Sequence, residues 1–201
     1  MPLPVEARRA RADDAPELAR MLARAFDDDP VATWSCPRDT VRPWMLERFH
    51  AARLAHLLPH EEVWVAPDNR SAALWAPPKR WKTTPREDLQ ISRCMLHPRL
   101  LWRAPMVGFG MHGIERKHPP HPPHWYLATL GTDPAAQGRG LGTAVLRPVL
   151  ERCDSEGLGA YLESSKESNL DYYARFGFRA EEPLRLPRGP LVWPMWREPL
   201  G

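Results

Sequence analysis

Apolar positions recur along this chain with two different periods. Leu18, Leu22 and Phe26 stand four apart, the spacing of one helix face. Asp13-Asp14 offers an N-cap before them, and Pro16 falls in the first turn, where its missing N–H costs nothing. Trp44, Phe49, Leu54 and Leu57 predict a second helix over about 41–58, closed by Pro59. Short β-favouring runs surround these helices. Val5 to Ala12 reads as a first strand. Glu62–Ala66 and Ser71–Ala76 read as a hairpin around Pro67-Asp68-Asn69-Arg70. Thr84-Pro85-Arg86-Glu87 has the capping-box pattern with proline at the first helical position. Breaks at His97-Pro98 and Ala104-Pro105 follow, so 79–117 reads as a helical segment inserted between strands.

The second half is patterned more tightly. Trp125 to Leu130 is a continuous apolar run suited to a buried strand, broken by Asp133-Pro134. Leu141, Val145, Leu146, Val149 and Leu150 form a helical stripe, with Gly157 as its C′ residue. Pro148 lies inside that stripe and predicts a kink, or a cost of about 3 kcal/mol. Ala160–Glu163 is strand-like. Ser168 or Asn169 can cap a final helix carrying Tyr172, Tyr173 and Phe176, ended by Gly177. Arg179–Leu184 and Leu191–Arg197 predict two last strands, joined by Pro187-Arg188-Gly189-Pro190. With no internal repeat and no linker, the pattern implies one mixed α/β domain over 1–201.

Composition narrows the function classes. The 201 residues are 43% apolar and 26% charged, as in a globular protein. The net charge of +3 sits on no long basic run, which argues against a nucleic-acid partner. Three scattered cysteines fit a reducing cytoplasm, and no signal peptide is expected from the first residues. The apolar stretch Leu100–Met111 is cut by Arg103 and Pro105, so no membrane span is expected. Asp27-Asp28-Asp29 reads either as a solvated loop or as an acidic lip for a cationic acceptor. His118, His121 and His124 punctuate a polyproline-like linker whose rings could share one side. No carboxylate or cysteine at ligand spacing completes a site there, and Cys94-x-x-His97 lacks a partner pair, so no metal is expected.

The chemistry concentrates where the Trp125 strand turns into the Leu141 helix. Gly138, Gly140 and Gly142 let a ligand approach free N–H groups at a helix start, which favours phosphate. The turn lacks the lysine of a nucleoside-triphosphate loop. It also lacks the third glycine of a dinucleotide fingerprint, since Thr143 and Val145 stand at the two positions where it is required. What remains is Gln137-x-x-Gly140-x-Gly142. With Tyr173-Ala-Arg-Phe-Gly177-Phe178 and Asn169 downstream, it resembles the signature of the GNAT acetyltransferase superfamily. In its last third the chain is similar to the puromycin N-acetyltransferase branch and its bacterial relatives, through Trp-Tyr-Leu-Ala-Thr, Gln-Gly-x-Gly-Leu-Gly, Leu-Glu-x-Ser and Asn-Leu-x-x-Tyr.

The resemblance implies a GNAT fold, with a splayed mixed central sheet flanked by helices. It implies acetyl-CoA as co-substrate and a small-molecule amine as acceptor, the amine attacking the thioester directly in a ternary complex, and a monomer or homodimer. By the same resemblance, Leu130, Gly131 and Thr132 would pair with the pantetheine arm. Gln137, Gly138, Arg139, Gly140, Leu141, Gly142 and Thr143 would hold the pyrophosphate. Asn169 would contact the cofactor near its thiol end, or cap the helix. Tyr173 matches the general acid, against a packing role. Glu163, the nearest carboxylate on the next strand, reads as base, as anchor for the amine, or as a structural hydrogen-bonding group. Acetylation of a protein lysine or N-terminus and a non-catalytic acyl-CoA sensor are the competing functions.

Overall fold

The computed structural model describes residues 6–200. In chain order these form β1 (Arg8–Arg9), α1 (Ala15–Ala25), α2 (Pro30–Ser35), α3 (Arg42–Leu57), β2 (Val63–Val65) and β3 (Ser71–Ala76). Then come α4 (Pro85–Ser92), α5 (Ala104–Lys117), β4 (His124–Thr132), α6 (Leu141–Glu156) and β5 (Gly159–Ser164). The chain closes with α7 (Leu170–Ala174), β6 (Arg179–Ala180), β7 (Leu184–Arg185) and β8 (Leu191–Arg197). The strands form one sheet in the order β1-β2-β3-β4-β5-β8-β6, with β7 also on β8. β4 and β5 are parallel; the other pairings are antiparallel.

Alternation along β4 divides the core. Trp125 and Leu127 pack with Val145, Leu146 and Val149 of α6. Tyr126 and Ala128 belong to the opposite layer, with Leu18 and Leu22 of α1 and Leu54 and Leu57 of α3. A third cluster joins α2 and α3 to the 79–117 segment and to the end of the chain, through Trp34, Met45, Cys94, Val107, Leu186 and Val192. The inserted segment therefore shares a core with the rest of the molecule. All three cysteines are free and buried.

The capping box forms as its spacing predicts: Thr84 Oγ1 accepts the Glu87 N–H and Glu87 Oε2 accepts the Thr84 N–H, the latter at 2.6 Å. Gly157 ends α6 in the left-handed conformation. Other local expectations are corrected. The first strand shrinks to Arg8–Arg9, and Val5 lies outside the described residues. Asp14 turns its carboxylate to Arg8 and the Arg11 N–H instead of capping α1. α6 continues through Pro148, held by the burial of Val145, Leu146, Val149 and Leu150 on either side. Phe176 falls past the end of α7, in the turn that Gly177 completes. The expected strand Arg179–Leu184 is split into β6 and β7 by Glu181-Glu182-Pro183, because proline removes a ladder donor.

Candidate active site

β4 and β5 pair only from His124–Gly159 to Leu127–Leu162, yet β4 runs on to Thr132. In the β3–β4 ladder, Leu74 faces Thr129 and Trp75 faces Leu127, so Ala128 is an extra residue in β4. Such a bulge bends its strand. The two parallel strands therefore part beyond Leu127, and Leu130, Gly131 and Thr132 keep a strand neighbour only on the β3 side. Gly131 lies hard against α1: a Cβ there would stand 2.6 Å from Leu22 Cδ2.

At the end of β4 the turn is built for an anion. Asp133 accepts the Ala135 N–H at 3.0 Å and Arg24 Nη2–H at 2.7 Å, which fixes the strand exit. Gln137 Nε2 donates to the Thr132 carbonyl at 3.4 Å. Gly138 and Gly140 both adopt φ of +76°, with open space where a Cβ would point. Gly140 is the N-cap of α6 and brings no side-chain acceptor, so the first-turn N–H groups of Leu141, Gly142 and Thr143 stay free. The positive end of a 16-residue helix points the same way. Tyr172 covers one side, its hydroxyl 2.9 Å from where a Cβ on Gly142 would lie. That hydroxyl is buried without a hydrogen-bond partner. Free N–H groups, vacant space at two glycines and an orphaned hydroxyl fit the pyrophosphate of a coenzyme A thioester.

The two sheet faces at the opening carry different groups. On the α6 face, Tyr173 of α7 is 8% exposed and packs edge-on against Phe178. Burial, then Tyr172 and Asp29, push its phenol well above the ordinary value, so it stays protonated at neutral pH. Asn169 is exposed at the N-cap position of α7 and makes no capping bond with its side chain. On the other face stands Glu163, whose side chain is only 10% exposed. Tyr126 and Tyr161 flank it, and both phenols are pushed up by burial first and by the Glu163 charge second. His118 Nδ1 lies 3.6 Å from Glu163 Oε1.

The acetyltransferase (GNAT) family model matches residues 22–178. The chain belongs to the GNAT acetyltransferase family. An uncharacterised N-acetyltransferase of Schizosaccharomyces pombe is 29% identical over 208 aligned residues, 96% of this chain and 83% of the yeast protein. A histone acetyltransferase and related acetyltransferase of Corynebacterium glutamicum shares the fold with a TM-score of 0.68 at 22% identity, over 98% of this chain and 97% of that one. Polyamine N-acetyltransferase of Drosophila melanogaster gives 0.58 at 15% identity, over 96% and 99%. This GNAT chain is thus an acyltransferase with the mixed, helix-flanked sheet of its family.

The GNAT fold gathers most of the expected site. The β4 end, the Gln137–Thr143 turn, Asn169 and Tyr173 surround the opening from one face, and Glu163 reaches it from the other. Three expectations change. Asp27 and Asp28 lie in a solvated turn, as one of the two readings has it, but Asp29 does not. Asp29 is 5% exposed, caps α2 through the Val31 and Ala32 N–H groups, and accepts the Ser165 hydroxyl. Asp27 pairs with Arg42 at 3.1 Å and Asp28 with Lys166 at 2.6 Å. Asp28 and Asp29 tie the α1–α2 turn to the loop after β5, and Asp27 ties it to α3. Asn169 is not a side-chain cap. The three linker histidines do not share a side: a cis peptide, His121–Pro122, interrupts the run, His121 is exposed, and His118 and His124 face each other. Around Glu163, Tyr126, Tyr161 and Arg53 carry no sequence signal of a site, and His118 and His124 stand out only as members of the linker. The His-Pro-Pro repeat is the one sequence signal for the two histidines, and it reads as a linker with no metal.

Proposed function

We propose that this enzyme transfers the acetyl group of acetyl-CoA to a primary amine of a small molecule, by direct attack within a ternary complex. The observation that carries this reading is the parting of β4 and β5, with an anion cradle and Tyr173 on one face and Glu163 on the other. In support, a structural neighbour is named for polyamine acetylation and the formation of N-acetylagmatine, and another for arylalkylamine acetylation. The open side of Leu130, Gly131 and Thr132 offers backbone groups to the pantetheine amides, as an added strand would. The N–H groups of Gly138 to Thr143, with Arg139 and Gln137 beside them, hold the pyrophosphate, and Asn169 lies toward the thioester.

An alkylammonium has a pKa near 10, so it must lose a proton before it attacks. Glu163 takes that proton or anchors the ammonium, in a site with little water. The nitrogen then bonds to the thioester carbon, the C–S bond breaks, and the Tyr173 hydroxyl donates to the departing sulfur. No protein nucleophile is needed. Burial pushes the Cys94 thiol up to about 11 and the Cys153 thiol up to about 12, which leaves neither as a ready thiolate.

Thiol release from acetyl-CoA against a panel of polyamines, arylalkylamines and antibiotic-like amines tests the reading. Tyr173→Phe is expected to lower kcat by about 100-fold while acetyl-CoA affinity stays within about twofold. Unchanged turnover in that variant would remove Tyr173 as the acid.

A further inference from the structure

We infer that His118 is the second half of the base: Glu163 and His118 share one proton, and His124 fixes the tautomer of His118 that allows it. This rests on the reading of Glu163 as the group that receives the amine proton. His118 is buried, with 5% exposure. Trp81 stacks on it at 3.7 Å between ring centroids and 20° between planes. Tyr126 and Tyr161 stand edge-on at 4.7 and 4.6 Å. Bulk water is kept from the ring.

The hydrogen-bond chain sets the proton positions. His124 Nδ1 lies 2.7 Å from the Pro122 carbonyl oxygen. A carbonyl only accepts, so Nδ1 carries the hydrogen. Burial lowers the pKa of His124, which keeps the ring neutral with a lone pair on Nε2. That nitrogen is 3.0 Å from His118 Nε2, so His118 must donate from Nε2. Neutral His118 then turns the lone pair of Nδ1 toward Glu163 Oε1, 3.6 Å away. A carboxylate and a lone pair face each other across a gap that holds one proton.

Acetylation of an ammonium releases one proton in all. An N–H bond of the ammonium breaks, Glu163 receives the proton, and a small closing of the gap passes it to His118 Nδ1. The carboxylate is thereby restored beside an imidazolium. That cation donates from both nitrogens, to Glu163 and to His124, and lies on the face of the Trp81 indole, which favours positive charge. The proton leaves to solvent after the product. The second N–H bond breaks once the amide has formed, and its proton returns to the Tyr173 oxygen in place of the one given to sulfur. The other charged or titratable groups packed around the pair are Tyr126 and Tyr161, with Arg53 of α3 beside Tyr126 and Glu181 near Tyr161.

The test uses the full chain. In long-range 1H–15N spectra above pH 8, His118 is expected as the Nε2–H tautomer and His124 as the Nδ1–H tautomer; an Nδ1–H tautomer at His118 overturns the inference. With the best amine from the panel, His118→Gln is expected to lower kcat about tenfold. It should also move the acid limb of kcat/KM to lower pH. The KM for the amine and the affinity for acetyl-CoA should stay within about twofold. An unmoved acid limb overturns the inference. Should His118→Gln fail to fold, Glu163→Gln replaces it: removing the charge that faces the ring should shift the His118 Nδ1 resonance in the same spectra, and an unmoved resonance overturns the pairing. Full activity in Glu163→Gln would sink the base reading of Glu163 together with this inference. Full activity in His118→Gln alone would sink only the inference.

Discussion

Gly131 sets how closely α1 lies against β4. A methyl group there would meet Leu22 at 2.6 Å, Phe26 at 3.1 Å and Ala25 at 3.3 Å, all from the helix that lines one wall of the site. Gly131→Ala is therefore expected to cost about 1–3 kcal/mol, read as a lower urea midpoint at unchanged slope. An unchanged midpoint would mean that α1 yields without loss. Sequence could not show this contact, because a strand glycine looks the same whether a ligand or a helix approaches it. The same limit hid Asp29. Its partners within three residues belong to an ordinary helix cap, but Ser165 is 136 positions away. Thr84 and Glu87 were legible because both ends of their bond fall within one turn. Tyr173 and the Gln137–Gly142 turn were legible as a signature, and their chemistry came with the resemblance.

Among elements, α2 depends on what holds its two ends. Six residues are too few for a stable helix or a visible period. Asp29 caps it, and Trp34 fastens it at its other end. The indole N–H donates to the Pro187 carbonyl at 3.1 Å. Its ring fills the space beside Gly110 of α5 and Gly189 of the β7–β8 turn, where a Cβ would come within 2.7 and 2.6 Å. Trp34→Ala should therefore loosen α2, the inserted segment and the chain end together, at a cost of about 3–5 kcal/mol. If this region shapes the acceptor side, KM for the amine should rise at least fivefold, roughly 1 kcal/mol, while acetyl-CoA affinity holds. A rise in both constants would place the effect on the whole fold. The long helices α1, α3 and α6 were legible through their apolar stripes, Pro148 notwithstanding, whereas β6 and β7 are two-residue strands with no alternation to read.

At the scale of the molecule, stability should depend on pH through His50. It is 1% exposed between Phe26 and Phe49, neither ring nitrogen has a partner, and burial lowers its pKa to about 3. Below about pH 6.5 the unfolded chain binds a proton at this residue that the folded chain refuses, so its contribution to stability falls from there down to about pH 3. His50→Leu should raise stability by about 1 kcal/mol at pH 7, and by more at pH 5. Equal gains at both values would deny the titration. No helix among the described residues is long and apolar enough to cross a membrane. The sheet itself has another property. Its outer edges, β1 and β6, are two-residue strands that carry arginine, which gives another chain little to pair with. The long row of unpaired amides lies instead inside the sheet, between β4 and β5, where their shared pairing through Leu127–Leu162 closes one end. A strand from a neighbouring molecule would need to bring its side chains into that slot, whereas the slender, amide-bearing arm of the proposed co-substrate would not. The fold thus encloses its open strand edge instead of presenting it at the rim, so an edge free to take up a ligand is shielded from pairing with another molecule.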